Sequence, residues 1–119
     1  MLFEIKSKID GEVIFSLETK SFKLCIEAAI KQNANLSYAN LSHADLRYAD
    51  LRYADLDFSS GIPFWCGGLD VKVDTKIAVQ MAYHFCRLDC KDKEFIKMKE
   101  ILKDFANKFH RIAECSEIK

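Results

Sequence analysis

The sequence has no net charge, no long apolar run and no even set of cysteines. Eighteen basic and eighteen acidic side chains balance over 119 residues, which indicates neither a basic surface for nucleic acid nor a strongly acidic one. No apolar run approaches the roughly 18 to 20 residues that span a bilayer. Charged side chains occur throughout residues 1–15, which argues against a signal peptide. We therefore expect a cytoplasmic protein that does not enter a membrane.

Sequence motifs for catalysis are also missing. There is no phosphate-binding glycine loop and no nucleophile elbow, and the five scattered cysteines are expected to be reduced and mostly buried. The spacing of Cys86, Cys90, His110 and Cys115 superficially matches a zinc site. We expect Cys86 and Cys90 at the turn between two antiparallel helices, and His110 roughly 27 Å away along the second helix. This separation disfavours a zinc site. The sequence therefore predicts no enzyme activity, no metal and no cofactor.

What the sequence does have is a period of five residues. Residues 34–58 read ANLSY ANLSH ADLRY ADLRY ADLDF. In an α-helix, at about 100° per residue, successive leucines would be rotated by roughly 140°, and in a strand they would alternate between faces. A chain that turns by the same angle at every block instead points each leucine at a common axis, with Asn or Asp facing water. The period predicts a solenoid coil.

The tandem pattern A-[N/D]-L-x-x resembles the pentapeptide-repeat family. The resemblance implies a right-handed quadrilateral β-helix with the leucines and alanines inside. With four blocks per turn, the five blocks make about one and a quarter coils, and Tyr38 stacks on Phe58. Gly61 stands at a leucine position and is expected to end the coil. The implied interior positions are Leu36, Leu41, Leu46, Leu51, Leu56, Ala34, Ala39, Ala44, Ala49 and Ala54.

The segment before the repeats is expected to cap the coil. Alternating apolar residues predict a β-hairpin, and a three-residue loop with Gly11 in the left-handed conformation places Ile5 opposite Phe15 on one apolar face. A short helix follows, with Ser21 as its N-cap and its apolar residues at helical spacing as far as residue 33.

The segment after the repeats predicts a helical hairpin with N-caps at Asp74 and Asp92. The first helix is expected to bury Ile77, Ala78, Met81, Ala82, Phe85 and Leu88. The second is expected to continue to Ile112. Its apolar stripe either packs between the first helix and the coil edge or forms, in part, a homodimer interface. The residues of that candidate interface are Phe95, Met98, Leu102, Phe105, Phe109 and Ile112.

These elements predict the α+β class and a single domain, residues 1–119. Residues 1–33 form the hairpin-and-helix cap, residues 34–60 the coil, residues 61–73 a connecting loop and residues 74–119 the helical hairpin. This layout also resembles short pentapeptide-repeat proteins encoded in phages and prophages.

Protein binding is the function class that the outward-facing residues favour, because Arg and Tyr are frequent interface anchors. The candidate partner-binding residues are Arg47, Tyr48, Arg52, Tyr53, Phe64 and Trp65. In the alternative interpretation, both arginines pair with Asp45 and Asp50 on a solvated face, and the two aromatics after the proline cap the coil. We expect a non-catalytic protein-binding module, of a phage or prophage accessory or inhibitor type that acts on a host or defence protein.

Nucleic-acid mimicry is the alternative function. The resemblance implies it, because long acidic pentapeptide-repeat rods imitate duplex DNA and engage type II topoisomerases; a nuclease would be a comparable target. This chain has little more than one coil and no net charge, whereas DNA carries about one negative charge per 1.7 Å of axis. Mimicry of a duplex is therefore less favoured, and direct nucleic-acid binding is not expected.

Overall fold

The computed structural model of the chain describes residues 1–61 and 66–119. Helices and strands are both present, which confirms the α+β class. The described residues pack as two compact units, Met1–Val73 and Asp74–Lys119, called here the N-terminal and C-terminal units. Within the described part of the chain, no helix is long and apolar enough to cross a membrane.

The described residues of the N-terminal unit contain four short strands and one α-helix. In chain order they are β1 (Leu2–Lys6), β2 (Val13–Glu18), α1 (Phe22–Lys31), β3 (Asn40–Leu41) and β4 (Ser60–Gly61). A 3-10 turn occupies Cys66–Gly68. The C-terminal unit contains α2 (Thr75–Cys86), α3 (Lys93–Ala106) and α4 (Ile112–Cys115).

Strands β1 and β2 form an antiparallel hairpin with the predicted register as far as Ile5. Phe3 lies opposite Leu17 and Ile5 lies opposite Phe15, so the apolar side chains share one face and Ile5 is fully buried. Gly11 has a φ of 74°, the left-handed conformation that glycine adopts without steric cost. Matching the apolar faces therefore predicted the pairing as far as Ile5. The predicted three-residue loop was wrong, because the Ser7 amide donates to the Glu12 carbonyl over 2.8 Å and leaves residues 8–11 in the loop.

The closed end of the hairpin contacts the first repeat. The register shifts after Ile5, and β1 ends at Lys6. Ser7 instead forms an antiparallel bridge with Ala39, and the Lys8 amide donates to the Tyr38 carbonyl over 2.8 Å. The hairpin therefore covers backbone groups of the repeats, which is a capping contact.

Helix α1 begins and ends as predicted and also packs on the repeats. The Ser21 hydroxyl accepts a hydrogen bond from the Leu24 amide, and Asn33, with a φ of 59°, terminates the helix. The Glu27 carboxylate accepts the Asp50 amide at 2.9 Å. The buried side of the helix consists of Cys25, Ile26 and Ala29.

The leucines and most of the alanines of the repeats lie in the interior. No leucine of the five is more than 8% exposed, and four of the five alanines are at most 7% exposed. Ala34, at the entrance to the repeats, is half-buried. Interior leucines at every fifth position require a chain that turns at every block.

The fifth repeat stacks on the first, 20 residues earlier. The Tyr38 amide donates to the Asp57 carbonyl over 2.9 Å, and the rings of Tyr38 and Phe58 stack with centroids 4.8 Å apart. Strand β3 pairs in parallel with β4, with Asn40 opposite Ser60. The predicted stacking of Tyr38 on Phe58 is confirmed.

Backbone pairing continues beyond the predicted end of the coil at residue 60. The Leu46 amide donates to the Gly67 carbonyl over 2.7 Å, and Asp50 pairs in parallel with Lys72. The offset between paired residues is 20 for β3 and β4 but 22 for this last pair, which places two inserted residues between them. The described residues nevertheless hold few strands and form no closed solenoid.

Helices α2 and α3 form the predicted hairpin. Asp74 and Asp92 cap their N-termini by accepting backbone amides. Phe85, near the end of α2, contacts Phe95, near the start of α3, with ring centroids 5.0 Å apart. The two helices are therefore antiparallel neighbours.

Helix α3 ends at Ala106, so the prediction of a continuous helix to Ile112 was wrong. The Asn107 side chain forms two hydrogen bonds to the backbone of Ile118, accepting its amide at 2.8 Å and donating to its carbonyl at 3.0 Å. These bonds hold a chain that has folded back, and Phe109 lies in this returning segment rather than on the helix. The sequence pattern did not reveal a contact made 11 residues away.

The buried face of α2 differs only in part from the predicted one, because Ile77 is buried as predicted and Ala82 packs against the core of the C-terminal unit. The core of the C-terminal unit consists of Val79, Tyr83, Cys86, Ala106, Phe109 and Ile118. Met81, Phe85 and Leu88 are instead 37%, 36% and 54% exposed. Helix α2 carries apolar residues on two sides. The side with Val79, Tyr83 and Cys86 is buried, because the Phe109 ring stacks on the Tyr83 ring with centroids 4.5 Å apart.

Candidate functional site

Each of the five repeats is a turn built from the same bonds. The Asn or Asp side chain accepts the amide two residues later, over 2.9 to 3.3 Å, and the leucine carbonyl accepts the amide three residues later. The fifth residue of every block has a positive φ of 62 to 70°. A positive φ at only the third of four turn residues is the pattern of a type II turn.

The role of the Asn and Asp residues was missed in the sequence. We predicted that these side chains simply face water, whereas each one accepts a hydrogen bond within its own turn. Asn and Asp commonly bond their own backbone two residues on. The restriction of this position to two residue types in all five blocks was the available signal.

Replacing Asn35 with alanine tests this turn bond. The Asn35 side chain accepts the Ser37 amide at 2.9 Å, and its loss should lower the free energy of unfolding by about 1 kcal/mol. Asn35→Asp keeps an acceptor oxygen and should leave the stability nearly unchanged. Urea unfolding followed by circular dichroism measures both variants, and an equal loss in the two would contradict the role of the acceptor.

The third and fourth repeats carry matched ion pairs on their outer surface. Arg47 donates through Nε and Nη2 to Asp45 over 2.9 and 2.8 Å, and Arg52 donates to Asp50 with the same two distances. The solvated-face interpretation predicted these pairings. A two-point contact fixes the orientation of both guanidinium groups, although exposed pairs contribute little to stability.

The ion pairs also lower the pKa of both carboxyl groups. Hydrogen bonding by Arg47 lowers the pKa of Asp45 to about 2, and Arg52 lowers that of Asp50 further. A depressed carboxyl pKa stabilises the folded chain above the ordinary value near 4, and this contribution is lost as the pH falls toward 2. At neutral pH both pairs are fully ionised.

Two tyrosines project beside these ion pairs. The side chains of Tyr48 and Tyr53 are 69% and 85% exposed, and both residues hold a positive φ. Phe64 and Trp65, the other candidate partner-binding residues, lie outside the described residues. The structure brings Tyr48, Arg52 and Tyr53 together along one groove, and Arg47 precedes Tyr48 in the chain. We call these four residues the Tyr-Arg face.

A groove adjoins this face, between α1 and the repeats. Its volume is 540 Å³, within the range of known ligand sites. The lining residues come from the end of α1, the third and fourth repeats and the segment paired with them. They are Glu27, Ile30, Lys31, Asn33, Tyr48, Asp50, Arg52, Tyr53 and Lys72.

The candidate dimer residues are mostly used within the C-terminal unit. Phe109 belongs to its core, and Leu102, Phe105 and Ile112 pack against that core. Phe95 contacts the ring of Phe85 on α2, while Met98 is 43% exposed. Because α3 ends before Phe109, the six residues do not form one helical stripe.

The cysteines are more exposed than predicted. Cys25 and Cys86 are buried, and burial raises the pKa of both thiols. Cys66, Cys90 and Cys115 are exposed, so the expectation of mostly buried thiols was wrong; Cys90, for example, lies in the connection between α2 and α3. Over residues 1–61 and 66–119, no three His, Cys, Asp or Glu side chains are grouped to hold a metal ion.

Comparison with known proteins identifies the repeats. No curated protein and no solved structure matches the chain significantly. The family model described as pentapeptide repeats (8 copies) matches residues 32–58. This match covers all five blocks, with their interior leucines and their repeated turn bonds. Residues 32–58 are therefore a pentapeptide-repeat segment.

Proposed function

We propose that this chain is a non-catalytic protein-binding module that contacts its partner through the Tyr-Arg face. Pentapeptide-repeat proteins are often protein-interaction modules. The observation that carries the proposal is the exposure of Tyr48 and Tyr53 on successive repeats. Each tyrosine lies next to an arginine that is already oriented by a two-point ion pair.

The turn geometry favours these side chains as contact residues. All five blocks hold their fifth residue in the left-handed conformation, and in the third and fourth repeats that residue is an exposed tyrosine. Tyrosine supplies a large, rigid contact area at low conformational cost, which is why it is common in binding surfaces. Repeats that place such rings outward at fixed spacing suit a protein surface better than a catalytic site.

Replacing both tyrosines with serine tests this function. We expect the purified chain to capture a protein partner that the Tyr48→Ser, Tyr53→Ser double variant retains at least tenfold less. Serine keeps a hydroxyl but removes both rings, which supply most of the contact area that we expect to be buried.

The matched control is Ile9→Ser, which removes an apolar side chain that is 68% exposed in the β1–β2 turn. This variant should retain the partner as the parent chain does. Equal retention by the double variant would contradict the proposed binding surface.

Mimicry of nucleic acid receives less support from the geometry. A DNA mimic must present regularly spaced unpaired negative charges, whereas Asp45 and Asp50 are each paired with an arginine. A captured partner that is a topoisomerase or nuclease, and that is released by moderate salt, would favour mimicry instead.

The repeats correspond to about one and a quarter coils of a right-handed quadrilateral β-helix, which the 20-residue offset between β3 and β4 supports. The module is a phage or prophage accessory or inhibitor protein that acts on a host or defence protein in the cytoplasm. It has neither enzyme activity nor a cofactor. A homodimer through α3 would use its exposed side chains, such as Met98 and Ile101.

A further inference from the structure

The acidic and basic groups of the groove differ in whether they already have partners. The Glu27 carboxylate accepts the Asp50 amide. Both Asp50 carboxylate oxygens accept hydrogen bonds from Arg52. The Glu27 carboxylate therefore holds α1 to the fourth repeat, and the Asp50 carboxylate is engaged within that repeat.

Three cationic groups in the same lining have capacity left for a ligand. Within the described part of the chain, neither Lys31 nor Lys72 takes part in an ion pair. Arg52 uses Nε and Nη2 on Asp50, so its Nη1 remains available to a ligand. Lys31 lies in the last turn of α1, where the helix dipole favours a cation.

We propose that this groove binds an acidic segment of the partner's polypeptide chain, an inference that rests on the proposed protein-binding function. Carboxylates of the peptide pair with the Lys31 and Lys72 ammonium groups and with Nη1 of Arg52. The rings of Tyr48 and Tyr53 line the groove and pack against the peptide between these charges.

The engaged carboxylates favour a peptide over a compact anion. A phosphate concentrates its charge at one point and would be repelled by Glu27 and Asp50 together, since both line the same groove. An extended acidic peptide instead distributes its charges along the chain, so that each one can approach a single cation. Charge complementarity of this kind mainly determines specificity and association rate.

Peptide binding to the full chain tests the inference directly. The probes are three fluorescein-labelled decapeptides that share the same serine, alanine and tyrosine residues. They differ in the other four positions, which are all glutamate in the first peptide, all glutamine in the second and all lysine in the third. Fluorescence anisotropy should show that the glutamate peptide binds at least tenfold more tightly than the other two. The preference should shrink between 50 and 300 mM NaCl, because salt screens exposed charges.

Charge-matched variants locate the site. The double variant Lys31→Gln, Lys72→Gln should bind the glutamate peptide at least tenfold more weakly than the parent chain does. Lys8→Gln with Lys20→Gln removes the same charge from exposed positions outside the groove and should change the affinity less than twofold. Unchanged circular dichroism spectra would establish that all of the variants are folded.

Several results would overturn the inference. One is equal affinity for the glutamate and glutamine peptides, and another is an equal loss of affinity in the two double-lysine variants. A third is displacement of the glutamate peptide by inorganic phosphate at low millimolar concentration. Capture of a partner that depends on Tyr48 and Tyr53 but not on Lys31 and Lys72 would overturn the groove proposal and leave the protein-binding function intact. Capture that depends on neither pair would contradict both.

Discussion

Replacing Leu51 with alanine is expected to lower the free energy of unfolding by about 2 to 5 kcal/mol. Leu51 is fully buried, and its amide donates to the Lys72 carbonyl over 2.8 Å. The turn bonds before and after it fix the backbone, so the neighbouring leucines cannot move inward to fill the cavity. Urea unfolding followed by circular dichroism measures the loss.

Leu24 provides the matched control for this substitution. It lies on α1 of the same unit but is 43% exposed, and alanine has a higher helix propensity than leucine. Leu24→Ala should therefore cost less than about 1 kcal/mol, as most exposed substitutions do. A loss below about 1 kcal/mol for Leu51→Ala would show that the leucines do not share one packed interior.

Replacing Gly61 with alanine is expected to cost at least about 2 kcal/mol, because two effects combine. Gly61 has a φ of 113°, which side-chain-bearing residues rarely adopt. An added Cβ would also lie 2.6 Å from the Leu41 carbonyl oxygen and 2.7 Å from its carbon. Those atoms belong to the backbone of β3, so the strand itself would have to shift.

The variant Gly11→Ala separates the cost of backbone strain from the cost of a steric clash between Cβ and a neighbouring strand. Gly11 also has a positive φ, 74°, but a Cβ there would meet nothing within 4 Å. Its replacement should cost about 1 kcal/mol, from the left-handed conformation alone. Similar losses of stability for Gly61→Ala and Gly11→Ala, measured by urea unfolding, would contradict the tight approach of β4 to β3.

The structural role of Gly61 differs from the role that the sequence predicted. In the repeat pattern it stands where a leucine belongs, which indicated the end of the coil. In the structure, the absence of a side chain allows β4 to lie against Leu41. Backbone pairing then reaches Lys72 although this part of the chain no longer carries the leucine signature.

Local regularity explains what the sequence could predict. The period of five places every leucine on the inside, and the apolar faces of residues 2–18 allow only one good register for the hairpin. Helix N-caps at Ser21, Asp74 and Asp92 were likewise recognisable, because a cap depends on residues within one turn. These features require no knowledge of distant parts of the chain.

Contacts between distant segments explain what the sequence could not predict. The buried face of α2 depends on Phe109, which stacks on Tyr83, and the end of α3 depends on Ile118. The groove likewise combines Lys31 of α1 with Lys72, which lies beyond the repeats. Each of these features is determined by tertiary packing between residues that no local pattern connects.

The most direct test of the central claim is the affinity of the captured partner for the parent chain and for the Tyr48→Ser, Tyr53→Ser variant, measured by isothermal titration calorimetry. If the Tyr-Arg face is the binding surface, Kd should rise at least tenfold in the variant and stay unchanged in Ile9→Ser. The same Kd for the parent chain and the double variant would contradict the claim that the outer surface of the repeats binds the partner.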